Sequence, residues 1–259
     1  MTNQEYIEAI EKRTSRRSFR TKLPDEETRD VLRELVEILN KKCDALEMIF
    51  VDDCSNVSRT LSGKFCGIAL CGDDGEQTRI QCGYWGESIV LQCVHHGLGT
   101  CWITGTYDEN KLLSLINIPK KTRLYGFIAI GYVKDKLSLK EKTLYNMAHK
   151  QNKPYQKMFE TCDAKLPEEY AYAMKLVEMA PSDANRRAIH FRYEEGVLSA
   201  YVDEPYSDKS IEFGIAQLHF NLGVKSKGIT GKWNVRGEFI PDGEKLIKFP
   251  KTENDGEQE

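Results

Sequence analysis

Lys22-Leu23-Pro24-Asp25-Glu26-Glu27 and Lys165-Leu166-Pro167-Glu168-Glu169 are two versions of one phrase, 143 residues apart (165 less 22), and their repetition decides how the chain is read. Each is a helix start. A proline in the first turn gives up an N–H that has no partner there, and the acids behind it face the positive end of the helix dipole. The first helix is expected to run to about Lys42, with Val31, Leu32, Leu35, Val36 and Leu39 on one face. The second is expected to run to about Met179, with Tyr172, Leu176 and Met179 similarly spaced.

The order of elements after each phrase also matches. In the first half, strands are expected near Glu47–Asp52 and Gly67–Gly72, then a helix from about Gly83 to His96 that stops at Gly97-Leu98-Gly99. In the second half, strands are expected near Ala188–Tyr193 and Val197–Val202, then a helix from about Ser210 to Asn221 that stops at Leu222-Gly223. Helix, two strands, helix, glycine stop and strand twice over predict an α+β fold built from two duplicated halves. Central antiparallel or mixed sheets are flanked by helices, and the halves pack about a pseudo-two-fold axis as two subunits of a dimer would. The expected boundaries are residues 1–150 for the first half, 151–245 for the second, and a polar tail over 246–259, frayed from Pro250 onward. A further helix is expected near Leu137–His149 in the crossover.

Composition narrows the classes. The 259 residues are 40% apolar and 30% charged, with a net charge of −3, ordinary for a soluble chain and unfavourable for coating nucleic acid. No run approaches the roughly 18 to 20 apolar residues of a membrane span, and Met1-Thr2-Asn3-Gln4-Glu5 lacks a signal-peptide profile, so a cytoplasmic protein without membrane contact is expected. The eight cysteines include no C-x-x-C pair, which argues against zinc. Several sit in apolar runs such as Phe65–Cys71, as reduced, buried residues would.

Just ahead of the first phrase stands Arg16-Arg17-Ser18-Phe19-Arg20. Three guanidinium groups and a hydroxyl in one short connection can hold a phosphate, although basic residues after a helix bearing Glu5, Glu8 and Glu11 also suit the dipole alone. Two other stretches stand out. One is Gly97-Leu98-Gly99-Thr100-Cys101-Trp102-Ile103-Thr104-Gly105, followed by a strand ending Ile128-Ala129-Ile130-Gly131-Tyr132. The other is Ala180-Pro181-Ser182-Asp183-Ala184-Asn185.

Together these three stretches resemble the nitroreductase family of FMN-dependent oxidoreductases: its Arg-x-Ser-x-Arg phosphate motif, its Gly-Leu-Gly-Thr-x-Trp loop and its Ala-Pro-Ser-x-x-Asn loop. The first half carries the first two and the second half the third, so the pattern resembles a single-chain, internally duplicated branch, over most of residues 10 to 240. The resemblance implies one FMN site shared by the halves of a monomer acting as a pseudo-dimer. Arg16, Arg17, Ser18 and Arg20 would bind the phosphate. Trp102, Ile103, Thr104 and Gly105 would run beside the flavin, with a backbone N–H, that of Thr104, reaching N5. Pro181, Ser182 and Asn185 would close the site from across the pseudo-interface. It implies ping-pong hydride transfer from NAD(P)H to an electron-poor small molecule, of nitroaromatic or quinone type, with no catalytic side chain and no metal.

Where the family has Gln-Pro after the asparagine, this chain has Arg186-Arg187, which leaves substrate contacts and local charge open. Lys134, Lys140 and Lys142 are candidates for the basic residue that follows the Gly-Tyr strand end in the family. His95 and His96 read as dipole partners at a helix end, and Trp85 and Trp102 as core, Trp102 abutting the flavin loop. Two other classes stay open: a flavin-binding protein without turnover, and a basic arm over Lys12–Lys22 that binds anions or nucleic acid.

Overall fold

The computed structural model describes residues 1–118, 122–149, 154–162 and 165–242. The expected tail from 246 lies outside the described residues. No helix among them is long and apolar enough to cross a membrane.

The chain is a mixed α+β fold. Helix α1 (Asn3–Lys12) is opened by a capping box between Thr2 and Glu5 and buries Ile7, Ala9 and Ile10. Helix α2 (Glu26–Asn40) starts where the first phrase predicts, capped by Asp25, and buries Leu32, Val36 and Leu39. Val31 is 57% exposed, so the stripe is narrower than expected. Strands β1 (Leu46–Val51), β2 (Cys66–Gly72), β3 (Gly99–Ile103) and β4 (Arg123–Gly131) form an antiparallel sheet in the order β1-β2-β4-β3. Every residue of β2 is buried, because both faces of the sheet are covered. Helix α3 (Glu76–His95) packs on this sheet, a short α4 (Glu109–Leu113) precedes β4, and α5 (Leu139–His149) follows it.

Next come β5 (Phe159–Cys162), α6 (Glu168–Val177), β6 (Ile189–Glu194), β7 (Val197–Val202) and α7 (Asp208–Ser226). Strands β5-β6-β7 form a sheet in which β5 runs parallel to β6, and the β8 (Gly231–Trp233) and β9 (Phe239–Pro241) hairpin bonds to β7 through Ala200 and Gly237. Tyr170, Ala173, Met174, Leu176 and Val177 are buried on α6. Met179, expected on the helix face, lies in the turn beyond it and is 43% exposed.

The two long helices are longer than expected because Gly83 and Gly223, read as helix ends, are interior. Glycine costs about 1 kcal/mol in a helix, so a sequence reading ends helices there. Here Gly83 and Gly214 let α3 and α7 press backbone to backbone, and Gly223, read as a stop, lies 2.5 Å (from a Cβ position) from the Cα of Ala173 on α6. The true stop of α7 is Gly228 (φ +82°), as Gly97 (φ +76°) is the stop of α3. Helix α1 lies across this pair, its Ile7 and Ile10 packing with Leu91, Leu218 and Leu222.

Of the cysteines, Cys54, Cys66, Cys71, Cys82, Cys93 and Cys101 are buried free thiols, Cys43 is half-buried and Cys162 is exposed. Burial pushes the Cys66 and Cys71 thiols up to about 12, leaving them inert as nucleophiles.

Candidate functional site

The Arg16–Arg20 segment is laced between two parts of the first half. Ser15 bridges Thr100 on β3, Arg16 N–H donates to the Thr100 carbonyl (2.8 Å), and Arg20 N–H donates to the Tyr132 carbonyl (2.8 Å). From the other side the long β1–β2 connection, residues 52–65, holds it: Phe19 N–H donates to Ser62 O (2.9 Å), Ser62 N–H to Arg17 O (3.0 Å) and Lys64 N–H to Arg20 O (2.8 Å). Gly99 is glycine because a side chain would collide with Val133 and sit 3.2 Å from Arg16 Cβ.

This lacing turns the Arg17 and Ser18 amides and the Arg16 guanidinium toward one point, and the carboxylate of Glu141 sits there. Its Oε1 accepts from Arg17 N–H (2.7 Å), Ser18 N–H (3.1 Å) and Arg16 Nε (3.3 Å), while its Oε2 accepts from Ser138 N–H (2.8 Å). Arg16 also donates to the Lys134 carbonyl (2.7 Å), and the hydroxyls of Ser18 and Ser138 lie 3.0 Å apart. Burial opposes the charged form of Glu141, but the amide donations from Ser138, Arg17 and Ser18 outweigh it and hold the carboxyl at about 2. A seat that keeps a buried carboxylate ionised so firmly is an anion site by its own chemistry.

Beside the seat opens a cavity of about 1040 Å³. Arg13, Thr14, Ser15 and Arg17 form one wall, Met179 to Asp183 with Asn185 and Arg187 the other, and Leu137, Glu141, Leu144, Tyr145 and Met147 from α5 and its approach cover it. The predicted Arg17, Pro181, Ser182 and Asn185 thus share one cavity, and Arg16 and Ser18 meet it through Glu141. The Ala180–Asn185 loop is held in shape by Asn185 N–H donating to Ser182 O (3.1 Å) and Arg187 N–H donating to Ser182 Oγ (3.1 Å). Asn185 has φ +60°, a conformation asparagine tolerates better than most residues. Below it the buried Glu212 of α7 accepts from Asp183 N–H, and burial raises its carboxyl to about 7. Arg187 reaches back to the Glu178 carbonyl and burial lowers its pKa, whereas Arg186 is exposed and off the cavity.

Other predicted residues lie elsewhere. Arg20 is exposed, its Nε donating to Val133 O (3.1 Å). Trp102 donates its indole N–H to the buried Glu87 (2.8 Å), Ile103 is core, Thr104 pairs with Asp208 at the start of α7, and Gly105 is exposed. None of these four lines the cavity. Nor do Lys134, Lys140 or Lys142; Lys140 Nζ donates to the Thr60 carbonyl (3.1 Å). His95 faces Glu5 across 4.0 Å at the end of α3.

Sequence reasoning missed Arg13, which donates to the Met179 carbonyl (3.4 Å) and lies 3.7 Å from Glu87, itself bonded to His219 (3.2 Å) between α3 and α7. It also missed Glu141. Ser138-Leu139-Lys140-Glu141 is a capping-box pattern, so the sequence did signal that this carboxylate turns back on its own helix start, though not that it reaches Arg17.

A solved structure shares this architecture. A Thermotoga maritima MSB8 protein described as a "putative nitroreductase" superposes with a TM-score of 0.63 at 19% identity, covering 93% of this chain and 94% of its own. A nitroreductase family protein of Clostridium novyi NT (TM-score 0.40, 23% identity) covers 50% of this chain and 86% of its own. An FMN-dependent nitroreductase of Clostridium difficile R20291 (TM-score 0.41, 23% identity) covers 50% and 90%. No curated protein matches the chain. Residues 5–224 match the family model described as "Putative TM nitroreductase", and the chain belongs to that nitroreductase family.

Proposed function

We propose that the chain is an FMN-dependent oxidoreductase of nitroreductase type, using NAD(P)H as electron donor and an electron-poor small molecule, nitroaromatic or quinone in class, as acceptor. The observation that carries this reading is the convergence of the Arg16-Arg17-Ser18 anion seat and the Pro181–Asn185 loop on one cavity. The donor set fits a phosphate monoester: two adjacent amides, a guanidinium and two hydroxyls, already strong enough to hold a carboxylate charged. Arg17 adds a cation at the cavity wall, while Leu144, Met147, Met179 and Pro181 supply apolar surface for a planar ring. Asn185 and Ser182 bring polar groups to the ring's edge. Two-electron hydride exchange is the chemistry that FMN supplies when bound.

The two halves are read as a duplication in which one chain stands in for a dimer, and a cytoplasmic setting accords with the free thiols. The test is a spectrum of purified protein titrated with FMN and then NADH or NADPH. Flavin absorbance that bleaches with the nicotinamide and returns with an acceptor is expected; a protein that takes up no FMN overturns the reading. Arg186-Arg187, standing where the family has Gln-Pro, favours the second reading, a flavin-binding protein without turnover, which would show flavin absorbance but no bleaching.

A further inference from the structure

Glu141 does two jobs with its two oxygens. Oε2 closes the capping box of α5 on Ser138 N–H, an ordinary duty for the third residue of a helix. Oε1 leaves that helix and takes three donors from the Arg16–Ser18 segment, about 120 residues away in sequence. Capping needs only the first set. The residue is 2% exposed, so the second set is a filled, dehydrated anion position.

We infer that Glu141 is an internal competitor for the ligand's phosphate: the carboxylate occupies the phosphate seat, and a phosphorylated ligand enters it only when Glu141 is withdrawn with the first turn of α5. The inference rests on the flavin reading for the ligand's identity, but not for the existence of the seat. Two anions cannot share two amides and one guanidinium, since like charges at such separation repel strongly. Withdrawal is structurally local. Apart from Glu141, the first turn of α5 and its approach are tied by the Ser18–Ser138 hydroxyl pair, the Arg16 bond to the Lys134 carbonyl and the Lys140 bond to the Thr60 carbonyl, and Leu139 beside them is 84% exposed. Leu137, just before that turn, and Leu144, in the next, line the cavity beside the seat. Glu141 is thereby a specificity-determining residue. It reduces the advantage that a phosphate gives a ligand and leaves binding of an unphosphorylated ring unaffected.

The experiment compares FMN with riboflavin, which has the same ring and no phosphate, binding to the wild-type chain, Glu141→Gln and Glu141→Ala by fluorescence titration. The inference expects the FMN-over-riboflavin preference to rise about tenfold or more in Glu141→Ala, less in Glu141→Gln, with riboflavin affinity constant within about twofold. A preference unchanged or lowered in both variants overturns it and leaves Glu141 a helix cap. Thermal melts of each variant with and without inorganic phosphate and pyrophosphate keep the test independent of flavin. If no protein binds either flavin, the flavin reading fails. The seat is then judged by whether these anions raise the melting temperature of Glu141→Ala but not of wild type; no rise in either overturns the inference as well. Glu141→Gln, which retains a capping side chain, covers the case in which the alanine variant folds poorly.

Discussion

Gly83 on α3 and Gly214 on α7 are counterparts: a methyl group added to either would overlap the carbonyl oxygen three residues earlier than the other, that of Ile211 for Gly83 and of Ile80 for Gly214. Such reciprocity is the mark of an isologous contact, the kind made across a two-fold axis. The glycine pairs Gly83 and Gly214, and Gly97 and Gly228, stand 131 residues apart (214 less 83, 228 less 97), while β1 and β6 start 143 apart (189 less 46). The difference of 12 is the excess of the 14-residue β1–β2 connection (52–65) over the two-residue Glu195-Gly196 turn of the second half.

Gly83→Ala and Gly214→Ala should each cost about 3 kcal/mol or more, because backbone faces backbone and no side chain can yield. Gly75→Ala, where the nearest atom to the new methyl is 3.7 Å away, should stay within about 0.5 kcal/mol. Denaturant melts of the three variants check this. Equal losses in all three would contradict the interlocking of the helices.

Glu212 predicts a pH effect of unusual sign for a carboxylate. Its folded value of about 7 lies above the ordinary 4.5, so the folded chain binds the proton more tightly, and stability falls as pH rises from about 4.5 to 7 and levels off above. Glu212→Gln should remove that fall and gain on wild type by about 2–3 kcal/mol at pH 8, with no gain near pH 4.5. Thermal melts across pH 4.5–8.5 measure the gap.

Glu141 predicts the opposite slope. Its value of about 2 lies below 4.5, so its contribution is complete above pH 4.5 and lost as pH falls toward 2. Wild type should exceed Glu141→Gln by up to about 3 kcal/mol at pH 7, and the two should converge near pH 2. A constant offset at all pH values would show that the glutamine simply packs badly.

Gly63, at φ +89° in the long connection, lies against the Phe19 carbonyl. Gly63→Ala should push the Arg16–Arg20 segment from its place, costing about 2 kcal/mol and weakening FMN binding about tenfold. Calorimetry of the folded variant with FMN checks it. Gly196→Ala, also at positive φ but in open space, should cost stability without touching FMN affinity.

Local rules made much of this fold legible. Pro24 and Pro167 mark helix starts, though they stand just ahead of the first turn, Pro24 before the Asp25 cap and Pro167 at the cap; the strands over 67–72 and 197–202 follow from unbroken or alternating apolar residues. Gly83 and Gly223 misled, because local propensity penalises an interior glycine whereas the reason for it lies on another helix. The site was legible where its residues are contiguous, at Arg16-Arg17-Ser18 and Pro181–Asn185. It was illegible at Arg13 and Glu141, whose partners are set by tertiary placement.

The two walls of the cavity belong to one polypeptide. A site built across a subunit boundary is subject to mass action and empties of its second wall on dilution; here the walls are tethered, and their meeting is part of folding itself. In the proposed duplication the two halves are also free to diverge, since a change in one is not imposed on the other. The 52–65 segment braces the Arg16–Arg20 segment between β1 and β2, whereas β6 and β7 are joined by Glu195 and Gly196 alone.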